Sequence, residues 1–517
     1  MFDRIKGLFR NLAIYGLGDV ATSLVSLLLL PIYTRFLTPA DYGAIAMLLT
    51  VEAVAKVVFR WGVDTAFMRL YYDCTDQAAR QRLASTIFFF LLVVNGALVA
   101  LVLPAAGWLS QHLLNTPTYG LLIVLVISNM FVAGFYFIPF QVLRIGEKST
   151  QFVALVFARS AGTLVMRLIL VIWARLGVLG IVLADVVVTA VFTIILIWWF
   201  APLIRPMFSR AIITDALEFG LPRIPHSIAQ QVISLADRYL LNIYGTLRDV
   251  GLYSIGASFG LALKLFLSAF ESAWTPFFLS VMKEPDARET YRTVSTYVVA
   301  VLVFLVAGLC AVAPDVVRLT TTRQFHDAAR VTPWIALGVM FQGMYLVGSI
   351  GLVITKRTTR YPLATGVAAG TSLLANWLLI PRYGVQGAAW ANTIAYATLA
   401  AVTVGFSQHL YPIRYEWSRL LRVAAAGVAA YVVAAITVPP TLHPFVALLL
   451  RGPIVIVMYV LVLFATDFFH AGEIRGLQDI WQRAMKGRIP PAPEPAPAQV
   501  EMAGEIVISE DSRDPRY

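Results

Sequence analysis

In a chain of 517 residues, 59% hydrophobic and 13% charged, the apolar share is too large for a soluble domain, where about 45–50% and about 25% are usual. This composition predicts an all-α integral membrane protein and excludes a soluble enzyme. The formal charge of +11 is spread over short loops between apolar runs, a pattern that orients a membrane protein and offers no patch for nucleic acid.

A helix needs about 20 apolar residues to cross a bilayer. On that length the chain reads as about fourteen spans, near 11–32, 43–63, 83–104, 119–140, 151–174, 178–203, 216–243, 251–281, 293–314, 331–354, 362–380, 386–408, 418–438 and 446–466. The first run, Leu12 to Leu30, lacks a small-residue cleavage site, and Pro31 to Tyr42 leads straight into the next span. It reads as a retained helix, not a signal peptide. Cys74 and Cys310 provide neither a disulfide framework nor metal-ligand spacing.

The chain repeats itself at half length. Residues 175–184 read RLGVLGIVLA and residues 382–391 read RYGVQGAAWA. Tyr15-Gly16-Leu17 is echoed by Phe219-Gly220-Leu221, and Asp41-Tyr42-Gly43 by Asp249-Val250-Gly251. Such a repeat in an apolar chain marks a transporter built from two similar bundles. It predicts two pseudo-symmetric six-helix bundles around a central cavity plus two C-terminal helices. The N-lobe is 1–210, the C-lobe 211–417, the last two helices 418–467, and the tail 468–517. Loops holding Arg4, Lys6, Arg69, Arg80, Arg82, Arg144, Lys148, Arg205 and Arg210 are richer in cations than those holding Arg35, Arg175 and Arg248. That asymmetry puts both termini in the cytoplasm. In the tail, Trp481 to Arg488 is amphipathic and basic, 489–499 (IPPAPEPAPAQ) favours extended polyproline II, and the acidic end reads as disordered.

Charges inside spans cost about 2.5–3.5 kcal/mol each at the bilayer centre, so they must face one another or a hydrated cavity. Seven are cations, Lys56, Arg60, Arg159, Arg167, Arg223, Arg238 and Lys264; five are acids, Asp19, Glu52, Asp185, Asp237 and Glu271. Glu52, Lys56, Arg60 and Asp64 step by four and share one helical face. The cation excess predicts a cavity for an anionic ligand, with guanidinium forks suited to phosphate oxygens. The acids are candidates for ion pairing or for proton or ion coupling. Gln230, Gln231, Tyr239 and Trp274 are candidate sugar contacts beside the commoner use in helix packing. Pro222 and Pro225 flank Arg223 as a candidate gate hinge, with static kinks as the alternative. There is no Walker lysine motif, no metal-binding histidine pattern and no catalytic loop, so no enzyme, cofactor or metal site is expected.

Several of these marks converge: Tyr15-Gly16, the run Arg35-Phe36-Leu37-Thr38-Pro39-Ala40-Asp41-Tyr42-Gly43, Ala236-Asp237-Arg238, Val250-Gly251-Leu252-Tyr253, and the Gly-Val-x-Gly blocks at Gly177 and Gly384. Over residues 10–466 the chain resembles the Wzx-type oligosaccharide flippases of the multidrug/oligosaccharidyl-lipid/polysaccharide exporter superfamily. The resemblance implies alternating access of two lobes and a polyprenyl-pyrophosphate-linked glycan. That cargo would move from the cytoplasmic to the outer leaflet of a bacterial inner membrane, for O-antigen, capsule or exopolysaccharide. It also implies a monomer in the bilayer beside polysaccharide polymerase or export proteins. A peptidoglycan lipid-precursor flippase and a cation-coupled drug antiporter are the alternatives within the superfamily. The extra pair of spans and the net positive cavity argue against the antiporter.

Overall fold

Only internal hydrogen bonds can satisfy the backbone in hydrocarbon, so an apolar chain of this kind must fold as helix after helix. The computed structural model describes residues 29–146, 148–357 and 359–469, the side chains of Ser149 and Arg223 excepted. Residues 29–36 are helical. The helices that follow are α1 (Pro39–Arg60), α2 (Val63–Asp73), α3 (Gln77–Val102), α4 (Ala106–Leu114), α5 (Gly120–Ala133), α6 (Phe137–Ile145), α7 (Ser149–Leu168) and α8 (Gly177–Phe200). Then come α9 (Arg210–Gly220), α10 (Ile224–Tyr244), α11 (Leu247–Leu261), α12 (Leu263–Val281), α13 (Ala287–Thr320), α14 (Thr332–Gly348) and α15 (Ile350–Ile354). The last are α16 (Arg360–Leu410), α17 (Trp417–Thr437) and α18 (Pro444–Ala465). Among the described residues, 29–462 form one compact unit, and 463–469 fall in a second.

Among the described residues, ten helical segments are long and apolar enough to span a membrane, or eleven when α11 and α12, bent by 42°, count as one span. The chain is therefore a multi-pass, all-α membrane protein. Part of the difference from about fourteen has physical causes. Most of 11–32, with Asp19 and Tyr15-Gly16, lies outside the described residues. Predicted spans 362–380 and 386–408 form one 51-residue helix that breaks at Gly384, where φ is 52° and ψ −127°. Predicted span 216–243 is split by the turn Leu221–Arg223, and its second part, α10, carries Asp237 and Arg238.

The repeat has a structural counterpart at two places. Gly177 and Gly384 both have positive φ, and three residues later Gly180 and Gly387 lie against the carbonyls of Leu170 and Leu379. The second place is the pair of helix starts, α1 and α11. Thr38 and Asp41 form a capping box, with Asp41 Oδ2 accepting the Thr38 N–H at 2.8 Å. Thr246 and Asp249 form the same box at 3.0 Å. The two capped turns then cross: a Cβ on Gly43 would lie 1.7 Å from the Leu247 oxygen, and one on Gly251 1.8 Å from the Pro39 oxygen. Only glycine permits that approach.

One buried ion pair escapes sequence reading. Arg451 on α18 donates to Asp315 on α13 at 2.6 Å and to the Val438 carbonyl at 3.0 Å, with the Asp315 side chain 2% exposed. Removing one partner of such a pair costs about 3–5 kcal/mol, whereas replacing both by apolar residues is near neutral. Asp315→Ala is expected to lower the thermal midpoint of the purified protein sharply. Asp315→Leu with Arg451→Met is expected to recover most of it; equal losses would mean that the pair itself supplies the stability.

Candidate functional site

The site begins with the register of α1. Glu52, Lys56 and Arg60 lie one turn apart, and α1 ends just after them at Trp61 and Gly62, which take φ of 50° and 70°. The break is held in place by Asn95, which donates to the Phe59 carbonyl at 2.8 Å and accepts from Trp61 Nε1 at 3.0 Å. Across the break, Asp64 still pairs with Arg60 at 3.0 Å. It is this pair, not Glu52 with Lys56, that the four-residue spacing forms.

A turn at residues 134–136 ends α5 and redirects the chain into α6. Tyr136 is anchored by donating to the Thr189 carbonyl at 2.6 Å. Its ring carries the Arg159 guanidinium at 5.2 Å, a cation–π contact. Phe137 and Phe140 of α6 and Phe152 of α7 continue the aromatic wall. Together these elements enclose a cavity of about 290 Å³ lined by four cations, Lys56, Arg60, Arg144 and Arg159, and two carboxylates, Glu52 and Asp64. Asp64 is engaged by Arg60; among the described residues no carboxylate lies within ion-pair distance of Lys56 or Arg159. Every lining residue falls between Glu52 and Arg159. The residues that line this cavity belong to the first half of the chain, and a neighbouring cavity also takes Ser258 from the second half.

Glu52 also lines a neighbouring cavity of about 250 Å³ together with Tyr33, Tyr42, Asn129, Arg167, Asp185 and Ser258. There Arg167 grips Asp185 with two hydrogen bonds, Nε to Oδ1 at 3.0 Å and Nη2 to Oδ2 at 2.7 Å. Glu52 forms no hydrogen bond or ion pair with the described residues.

The remaining candidates lie apart. Asp237 is buried on α10, accepting from the Tyr253 hydroxyl, from Asn392 Nδ2 at 3.3 Å and from the Arg238 N–H at 2.8 Å. Arg238 donates to the Ser234 carbonyl at 3.0 Å and lies over Tyr253. These contacts tie α10 to α11 and, through Asn392, to α16. Lys264 lies 5.9 Å from the Tyr396 ring, and Glu271 is exposed on α12. Neither they nor Arg238 and Asp237 line the two cavities. Trp274 is 2% exposed, stacks on Phe270 at 5.4 Å and lines neither cavity. Gln230 and Gln231 are half-buried on α10, and Tyr239 is exposed. Arg223 occupies the turn Leu221–Arg223 with Pro222, and Pro225 is in the first turn of α10. Asp19 is outside the described residues.

Arg144 and Tyr136 line the cavity without having been singled out from sequence. Arg144 reads as a loop cation because the predicted span 119–140 ends before it. The signal was Gly134 ahead of the aromatic run with Pro139.

The fold is shared with solved membrane transporters. The chain is similar to the lipid II flippase MurJ in an inward closed conformation, with a TM-score of 0.72 at 14% identity over 89% of this chain and 100% of that one. It is also similar to an inward-facing multidrug resistance MATE family transporter of the MOP superfamily, with a TM-score of 0.63 at 14% identity, covering 78% and 96%. Residues 32–330, more than half of the chain, match the family of polysaccharide biosynthesis proteins, and the chain belongs to that family. Protein 1 of the Lsg locus of Haemophilus influenzae is a relative, 22% identical over 291 residues, 53% of this chain and 67% of that protein.

Proposed function

We propose that the chain is a flippase that moves a polyprenyl-pyrophosphate-linked oligosaccharide from the cytoplasmic to the outer leaflet of a bacterial inner membrane, for surface polysaccharide such as O-antigen, capsule or exopolysaccharide. The observation that carries this reading is the cavity of Lys56, Arg60, Arg144 and Arg159 inside a membrane protein of a polysaccharide biosynthesis family. A pyrophosphate offers several anionic oxygens, and guanidinium groups hold such oxygens in pairs. At about 290 Å³, the low end of ligand cavities, the site suits the pyrophosphate end of the cargo. The lipid tail stays in the bilayer and the glycan extends beyond.

In this reading about fourteen spans form an N-lobe (1–210), a C-lobe (211–417), two further helices and a tail, with both termini cytoplasmic. The crossing of Gly43 with Gly251 and the approach of Gly62 to Gly220 are two of the contacts between the lobes, and in this reading they alternate. Gly220 with Pro222 and Pro225 forms the hinge of the second. Moving about two negative charges outward is favoured by about 2.3 kcal/mol per charge per 100 mV, so the membrane potential drives export. Glu52, which pairs with none of the described residues and lines both cavities, is in this reading the carboxylate that exchanges a proton as the cations take up cargo. Asp185, clasped by Arg167, holds α7 to α8.

The test is mass spectrometry of polyprenyl-linked lipids in cells depleted of the protein. Accumulation of a complete repeat unit on the cytoplasmic leaflet is expected, and its sugars name the cargo. Accumulation of the peptidoglycan lipid precursor would replace this cargo by that one. An unchanged lipid pool with altered resistance to cationic drugs would overturn the reading.

A further inference from the structure

A different cavity, of about 490 Å³, lies outside the site described above, where the ends of α2, α6 and α8 meet the starts of α3 and α7. Its floor is apolar, formed by Val142, Leu143, Ile145 and Phe200. Its rim is polar, formed by Arg80, Lys148 and Gln151, with Trp199 as the lip, 46% exposed. The walls are built into the fold. Gln81 donates to the Pro202 carbonyl at 2.9 Å and the Arg205 N–H donates to Ser85 Oγ at 2.8 Å, which clasp the end of α8 to the start of α3. Arg80 is held over the buried Tyr71 ring at 5.1 Å. Among the described residues, neither Arg80 nor Lys148 has a carboxylate within ion-pair distance.

A cationic rim above an apolar floor, at the level where tryptophan marks the membrane surface, fits an amphiphile. A soluble anion would use the rim and leave the floor wet. The transported pyrophosphate has its own cations on the other side of the α6–α7 connection, where Arg144 lies over Phe152 at 5.2 Å. Basic pockets between spanning helices at the membrane surface hold lipid headgroups. We infer that this cavity binds a lipid-borne phosphate, the headgroup of an anionic phospholipid of the surrounding leaflet. Arg80 and Lys148 hold the phosphate oxygens, Gln151 bonds the headgroup, and the first methylenes lie on the floor. The inference needs only that the chain spans a membrane, and stands whatever the cargo is.

The experiment is native mass spectrometry of the full-length protein titrated with dioleoylphosphatidylglycerol, dioleoylphosphatidylcholine and farnesyl diphosphate. The double variant Arg80→Gln with Lys148→Gln is expected to bind phosphatidylglycerol at least tenfold more weakly, with phosphatidylcholine unaffected. Arg80→Lys with Lys148→Arg is expected to keep it. Loss of a second equivalent of farnesyl diphosphate alone would keep the phosphate site and make the carrier lipid its source. Unchanged binding of both anionic probes overturns the inference. If the double variant does not fold, the single variant Lys148→Gln at an exposed position decides the same question, with about a threefold loss expected.

Discussion

In the proposed cation cradle, Lys56→Gln with Arg159→Gln is expected to lower transport by at least about a hundredfold, while the protein still folds and inserts. Neither cation has a carboxylate at ion-pair distance among the described residues, so their charge is available to a ligand without breaking an internal pair. Each charged hydrogen bond contributes about 1.5–3 kcal/mol, and about 1.4 kcal/mol is tenfold in affinity. Losing two therefore costs about a hundredfold or more. The measurement is flux of a fluorescent polyprenyl-diphosphate glycan in proteoliposomes, with Arg330→Gln, at an exposed loop position, as the comparison. Arg159→Lys keeps the charge but loses the fork over Tyr136 and is expected to fall between the two. Undiminished flux in the double variant would remove the cation cradle from the mechanism. Loss of protein from the membrane would show that the cations act in folding instead.

Gly43→Val opens the crossing of α1 with α11. The nearest atom to the new side chain is a backbone oxygen, 1.7 Å from the Cβ position, which cannot rotate away as a side chain does. Overpacking of this kind costs about 1–3 kcal/mol, and more when the backbone must move. Val250, fully buried beside the crossing, reports the change. As a lone cysteine, in a background lacking Cys74 and Cys310, it is expected to react with an impermeant maleimide at least tenfold faster when Gly43 is valine. Gly251→Val is expected to do the same from the other side, because a Cβ there meets the Pro39 oxygen at 1.8 Å. Unchanged labelling and an unchanged thermal midpoint in both variants would show that the helices do not meet as described.

These two expectations differ in how far they were legible beforehand. The charged face of α1 is local: residues four apart on a helix share a side whatever surrounds them, so Glu52, Lys56 and Arg60 could be grouped from the chain alone. The capping signals of Thr38 with Asp41 and Thr246 with Asp249 are local for the same reason. What they pack against is not. Arg167 and Asp185 were both visible as costly charges, yet that they form one bidentate pair depends on how α7 lies on α8. Asp315 and Arg451 are far apart in the chain and near enough to helix ends to pass as surface charges; only the packing of α18 on α13 buries them.

Arg144 shows the limit most directly. Hydropathy averages over about 20 residues and reports that a segment is apolar, not that it turns at 134–136 and brings Arg144 to the rim of the cavity. The membrane class, the helical architecture and the half-length repeat follow from composition, span length and spacing, because lipid leaves the backbone few choices. The membership of the cavity, the separation of Lys264, Glu271 and the Asp237–Arg238 pair from it, and the position of the lipid-phosphate site follow from helix breaks and helix contacts. Those are set by close approaches between residues distant in the chain, and no local pattern encodes a distance across the fold.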